Sequence, residues 1–353
     1  MPSILSTGTA LPHYAFRQAD VKPFIRDMFA DIFHDIDRLM AIFENTQIKK
    51  RHFCVPIEWF KENHTFAEKN SLYMEHATEL SIQAVERALE RAKLSIDDIS
   101  HLIFVSSTGL ATPSVDARIL NQMKANPHTK RTPIWGLGCG GGAAGLSRAF
   151  DYVKAYPKEI AVVIAVELCG LTFQRNDLTK SNLVATSLFA DGAAAVIVAG
   201  DEAPVDSPVR LRTSKSTLWP NSLDVMGWDF SSSGFHVIFS QDIPTITRTK
   251  VAEATLSFLH EHGLSKVDHY LLHPGGKKVL DAYRESLGID GQKLDISEQI
   301  LQQYGNMSSC TVLYVLDEFL RQERIGEGDS GLIAALGPGF SLEMLLIEGG
   351  GKR

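Results

Sequence analysis

The sequence predicts an α/β protein with buried sheets, built from two halves that repeat one another. Short apolar runs such as "HLIFV", "IAVVIAVE" and "GLIAALG" alternate with segments of helical periodicity. Apolar runs without polar alternation are the mark of strands buried on both faces, and strand–helix alternation gives layered α/β folds. The repeat is the second observation: "SHLIFVSSTG", ending at Gly109, parallels "VDHYLLHPGG", ending at Gly276. The third is size. A chain of 353 residues, 44% hydrophobic and 22% charged, buries a large core, and the halves are expected to divide as 1–203 and 204–353.

The elements follow in order. Residues Phe16 to Phe43 mix apolar and charged side chains at helical spacing, and a basic knot comes next at Lys49, Lys50 and Arg51. "SLYMEHATELSIQAVERALERAKLSIDDI" is a long amphipathic helix with Leu80, Ala84, Ala88 and Ala92 on one side. "HLIFVSSTG" is a buried strand ending in a polar turn, and "TPSVDARILNQMK" a helix with Pro113 in its first turn. "RTPIW", short and carrying Pro133, makes a poor parallel strand. The glycine-rich "GLGCGGGAAGL" opens a helix, and "IAVVIAVE" is a second buried strand. "SNLVATSLFADGAAAVIVAGDE" gives a helix, an Asp-Gly turn and a strand. "DEAPVDSPVRLRTSKST", with two prolines and several charges, is the expected linker.

Charge and composition exclude several functions. A net charge of −7 gives no basic footprint for nucleic acid. The longest apolar run, "IAVVIAV", is far short of the ~18 residues of a membrane span, and the N-terminal "MPSILSTGTALPHYAFRQ" has neither the basic nor the apolar region of a signal peptide. Cys54, Cys139, Cys169 and Cys310 form no C-x-x-C pair, so they are expected to be reduced thiols of a cytoplasmic protein, with no metal site.

The glycine loop admits two chemistries. Gly136, Gly138 and Gly141 spell the G-x-G-x-x-G of a dinucleotide-binding loop, with Glu167 at the end of the next strand as a ribose-binding acid. Cys139 in its middle points instead to a nucleophile, since a helix N-terminus and a nearby imidazolium stabilise a thiolate. The repeat favours the second chemistry. Ser106 and Cys139 are 33 positions apart, as are His273 and Asn306 in the matching segments. A pseudo-two-fold duplication then brings Cys139, His273 and Asn306 to one pocket. A His–Asn pair supplies donors for a thioester oxygen that gains negative charge.

With these residues in view, the chain resembles the chalcone synthase family, the type III polyketide synthases, over nearly its whole length. The resemblance is carried by "GCGGGAAGL", "HPGGKKVLD", "YGNMSSCTVLYVLDE", "SLFADGAAAVIV" and "ALGPGFSLEMLLI". It implies a thiolase-like five-layer αβαβα fold of two pseudo-symmetric halves, and a homodimer. The implied activity is iterative decarboxylative condensation of malonyl-CoA onto an acyl-CoA starter. No metal, flavin or nicotinamide is implied, because loss of carbon dioxide generates the carbanion. The bacterial members that make alkylpyrones or alkylresorcinols from fatty acyl-CoA are the nearest in character. Related ketoacyl-carrier-protein synthases share the fold and the Cys–His–Asn set, with other residues around the His and Asn, and form the alternative.

By the same resemblance Cys139 holds the acyl chain, while His273 and Asn306 stabilise the enolate. Phe189 and Phe235 match two gatekeepers between the CoA tunnel and the cavity. Thr172, Ser308 and Gly227 match cavity positions, with Cys169 in place of a threonine. Thr112 replaces a methionine that reaches across the dimer in plant enzymes, and with Cys169 it is expected to leave room for an alkyl chain. Of three basic residues for the CoA phosphates Arg38 matches one; Ala41 and Asn45 stand at the others, so Lys49 to Arg51 are expected to contribute.

Overall fold

Nine strands form a continuous mixed sheet in the computed structural model, which describes residues 1–30, 33–205 and 207–351. In chain order the strands are β1 (Ser3–Ala10), β2 (Tyr14–Arg17), β3 (Lys50–Phe53), β4 (His101–Val105), β5 (Lys130–Ile134), β6 (Ile160–Leu168) and β7 (Asp191–Ala199). The second half adds β8 (Val209–Leu218), β9 (Met226–Ser231), β10 (Gly234–Phe239), β11 (His269–Leu272), β12 (Ser330–Gly337) and β13 (Ser341–Gly349). The large sheet runs β11-β12-β13-β8-β1-β7-β6-β4-β5, and β2/β3 and β9/β10 form separate two-stranded ribbons.

The sheet is two sheets joined at a seam. Strands β1 and β8 share a single register pair, Ser3 with Arg210. On one side β4 and β6 pair parallel and β6, β7 and β1 antiparallel; on the other β11 and β12 pair parallel and β12, β13 and β8 antiparallel. The repeat read from the sequence therefore relates β4 to β11, and helix Gly141–Ala155 to helix Ser309–Arg321.

Five layers follow from the period of two along each strand. Ile103, Val105, Val163 and Ala165 on one face, and Ile333 and Leu345 on the other sheet, enclose those two helices, with Leu146, Val153, Val312 and Leu316 between them. The alternate residues Leu102, Phe104, Val162 and Ile164 pack outward on helix Phe66–Ala92. Leu332, Ala334, Leu342 and Met344 pack outward on Phe258, Leu259, Val279 and Tyr283. The order is helix, sheet, helix, sheet, helix.

Several local expectations are corrected. Helix Phe66–Ala92 begins before Ser71, because Thr65 and Glu68 form a capping box. Pro113 precedes helix Val115–Gln122, whose N-cap is Ser114. "RTPIW" does supply β5, at the sheet edge, where a proline lacks no ladder partner. Asp191 and Gly192 make no turn: they begin β7, and the buried Asp191 carboxylate accepts from the Cys54 N–H at 2.9 Å and the Gly170 N–H at 2.7 Å. The expected linker is shorter than read, since "VRLRTSKSTL" is β8, held in place by β13. Phe16 to Phe43 is broken into the end of β2 and helices Gln18–Phe29, Ile36–Leu39 and Ala41–Asn45, with residues 31 and 32 outside the described set.

Candidate active site

Cys139 lies in a 3₁₀ turn, Gly138–Gly140, that runs directly into helix Gly141–Ala155. Gly138 has φ +45°, which a side chain disfavours, and a Cβ there would meet the Pro338 ring at 2.8 Å. A Cβ on Gly142 would come within 2.2 Å of the Ser309 carbonyl oxygen. The glycines thus let the two pseudo-equivalent helices and the Pro338 turn close upon the thiol. This overturns the dinucleotide reading, because no open phosphate cradle is left. Glu167 is no ribose ligand either. Its buried carboxylate accepts from the Ser107 N–H (3.0 Å), the Thr108 hydroxyl (2.8 Å) and the Ser309 hydroxyl (2.6 Å), and burial pushes its pKa up to about 7.

Asn306 comes to Cys139 from the other half. Its Oδ1 lies 3.9 Å from the Cys139 Sγ and accepts the Ser308 N–H at 2.8 Å. Its Nδ2 donates to the Gly275 carbonyl at 3.1 Å. Its backbone is clamped between Leu188 and Ala190 by bonds of 2.9 Å each, beside Phe189. Asn306 sits just ahead of helix Ser309–Arg321 rather than in its first turn, and Ser308, with φ +49°, is the N-cap position. His273 follows β11 and donates its backbone N–H to Ala334 at 2.8 Å. Neither ring nitrogen finds a partner among the described residues. A Cβ built on Gly275 would stand 3.7 Å from His273 Nε2, so the ring borders the residue that holds Asn306. The three predicted side chains are thus linked through Gly275.

The resting electrostatics differ from the expected thiolate–imidazolium pair. Burial pushes the Cys139 thiol up to about 11, with hydrogen bonds from Ser308 and Asn306 opposing and the Glu167 charge adding. Burial alone pulls His273 down to about 3. The site at rest holds a neutral thiol and a neutral imidazole. The other cysteines are raised further, which leaves Cys139 the most acidic thiol of the four.

Two cavities flank this junction, and helix Lys180–Leu188 is the wall between them. One face, with Asn182, Ala185 and Thr186, lines an apolar pocket of about 640 Å³ of empty space, mouth included. Phe189, Phe235, Cys169 and Thr172 line the same pocket, as their predicted roles require, and it ends against Phe16, Val21, Phe24, Ile25 and Phe60. The opposite face, with Ser181, Val184 and Leu188, lines a wider cavity of about 1190 Å³ that reaches Gly275 and Gly276 and carries Lys180, Lys277 and Lys278.

The remaining predicted residues are placed as follows. Ser308 touches Cys139. Gly227, in β9 with φ +153°, faces Pro338, which in turn covers Gly138. Thr112 is exposed and lines neither cavity. Arg38 is 78% exposed and paired with Asp35. Within the basic knot Arg51 is 1% exposed and donates to Gln18 Oε1 and to the carbonyls of Thr186 and Phe189, so it is an internal brace and no phosphate ligand. Sequence reasoning missed the aromatic end wall of helix Gln18–Phe29 and the lysines of the wider cavity. The only signal for the lysines was the pair that follows "HPGG". Among the described residues no group of three His, Cys, Asp or Glu could hold a metal ion, and no helix is long and apolar enough to cross a membrane.

Comparison with known proteins agrees with this geometry. Sequence models of the N-terminal and C-terminal domains of chalcone and stilbene synthases match residues 1–202 and 210–350. A Bacillus subtilis (strain 168) protein provisionally named a chalcone synthase is 48% identical, with 99% of each chain covered. The 1,3,6,8-tetrahydroxynaphthalene synthase of Streptomyces peucetius subsp. caesius is 37% identical over 98% of this chain and 93% of its own. The crystal structure of the corresponding synthase of Streptomyces coelicolor A3(2), a bacterial type III polyketide synthase, superposes with a TM-score of 0.95 at 31% identity, covering 99% of this chain and 100% of the other. The chain therefore belongs to the chalcone and stilbene synthase family: it is a type III polyketide synthase, an acyltransferase of thiolase-like fold that condenses malonyl-CoA iteratively and draws on CoA thioesters rather than a cofactor.

Proposed function

We propose that the enzyme extends a long-chain fatty acyl-CoA starter and releases an alkylpyrone or related polyketide, with Cys139, His273 and Asn306 as its catalytic residues. The observation that carries the starter class is the apolar pocket, whose wall from Cys169 and Phe189 to Phe24 and Ile25 is almost wholly aliphatic and aromatic. Each methylene moved from water into such a wall gains ~0.8 kcal/mol.

The steps use the resting protonation states. The His273 imidazole takes the Cys139 proton as the sulfur attacks the acyl-CoA thioester, and returns it to the departing CoA sulfur. Malonyl-CoA then binds and loses carbon dioxide. Its enolate oxygen is held by the Asn306 amide and a His273 ring N–H, both neutral donors in a dry site. The enolate carbon bonds to the acyl carbonyl, the C–S bond to Cys139 breaks, and a β-ketoacyl-CoA is ready for reloading. Phe189 and Phe235 border the passage; Thr172, Ser308 and Gly227 shape the cavity.

A homodimer completes the reading. Strand β5 is an open sheet edge, and near it Trp135 is 48% and Leu110 44% exposed, a surface that a second copy would cover, with Thr112 facing it. A cytoplasmic setting fits four unpaired cysteines.

The test is a ladder of acyl-CoA starters with labelled malonyl-CoA, followed by mass spectrometry of intact protein and of products. Acyl adducts on wild type and none on Cys139→Ala, with turnover rising with chain length, are expected. Product from malonyl-CoA alone, as the name of the tetrahydroxynaphthalene relatives suggests for them, would refute the fatty starter.

A further inference from the structure

We infer that Lys180 and Lys278 bind the phosphates of the CoA carrier at the rim of the wider cavity, in place of the basic side chains missing at Ala41 and Asn45. The inference rests on the proposed use of CoA thioesters. A protein of net charge −7 attracts a polyanionic carrier only through a local cluster of cations. The carrier also needs a route that ends at the triad. The wider cavity offers one: it reaches Gly275 and Gly276, and the Gly275 carbonyl is the acceptor for Asn306 Nδ2. Its throat is apolar, with Ile42, Val184, Leu188 and Phe239, suited to a thin pantetheine-like arm.

The cations at its rim come from separate elements. Lys180 opens helix Lys180–Leu188, and Lys278 lies in the first turn of helix Lys277–Leu287; both are exposed. Neither has an ion-pair partner among the described residues, whereas Lys277 is held by Asp281 and Glu298. Asn45 lines the same cavity, so the position that lacks a basic residue is at the same opening. Arg38 stands nearby: its partner Asp35 is close enough to Lys180 to feel its charge. Arg51 is excluded by its burial. Two phosphate-facing lysines on two helices thereby restore the charge that Ala41 and Asn45 omit.

Charge reversal tests the assignment. Lys180→Glu, Lys278→Glu and the double variant are assayed with acyl- and malonyl-CoA, and in parallel with the matching N-acetylcysteamine thioesters, which carry the reacting end without phosphates. The KM for CoA esters should rise about tenfold per reversal and more in the double variant, while kcat/KM for the phosphate-free thioesters stays at the wild-type value. Equal losses with both thioester types, or no change with either, would overturn it. Calorimetric binding of free CoA to Cys139→Ala, with and without the two reversals, needs no turnover. Undiminished CoA binding there would refute the lysine site whatever the reaction proves to be, and failure of every starter with intact CoA binding would refute the proposed function alone.

Discussion

Ala185 is the position at which the acyl pocket can be shortened with least disturbance. It is half-buried on helix Lys180–Leu188, lies one turn before Phe189 and lines the apolar pocket. In Ala185→Phe the ring enters empty space instead of displacing packed atoms, unlike a change at the fully enclosed Cys169, where the neighbouring Gly170 already lies against Phe53. A ring there takes the room of about four methylenes. At ~0.8 kcal/mol for each methylene denied burial, a long starter loses ~3 kcal/mol, or roughly two orders of magnitude in kcat/KM. A hexanoyl starter that stops short of the ring should lose less than about threefold. The assay is kcat/KM across C6 to C16 acyl-CoA for wild type and Ala185→Phe, with a melting curve for each, and Phe24→Ala at the far end as the converse, where preference should move to longer chains. A loss equal at every length, whether or not the melting temperature falls, would refute the pocket as the site of the alkyl chain.

Two further outcomes bear on the junction itself. Iodoacetamide should label Cys139 ahead of Cys54, Cys169 and Cys310, as the least suppressed of four buried thiols; because its pKa is raised to about 11, the thiolate fraction and hence the rate should climb about tenfold per pH unit from pH 6 to 9, and a plateau near neutrality would show instead a resting thiolate stabilised by protonated His273. Asn306→Ala should slow malonyl-CoA decarboxylation by ~10²–10³ while acyl loading falls far less, since the amide serves a charge that forms only in the extension step; equal losses in single-turnover loading and decarboxylation would remove that role.

The sequence by itself determined the strands, the duplication and the three polar residues. Buried strands are written as apolar runs, so β4, β6 and β12 were legible. The common offset that sets His273 against Ser106 and Asn306 against Cys139 brought the two halves' loops together before any coordinates were considered. Local pattern failed where a distant partner decides conformation. The charged "RLRTSKST" is a strand only because β13 lies beside it, and Asp191–Gly192 is a strand start only because Cys54 and Gly170 supply donors to the carboxylate. The functional surroundings were decided in the same way. Arg51 looks like a surface cation in sequence and is a buried brace in the fold, while Lys180 and Lys278, 98 positions apart, meet at one opening. Ionisation was the least legible property of all. A cysteine at a helix start reads as a thiolate, but the thiol's charge depends on how much water the whole fold removes from it, and desolvation is a property of tertiary packing that no short stretch of chain encodes.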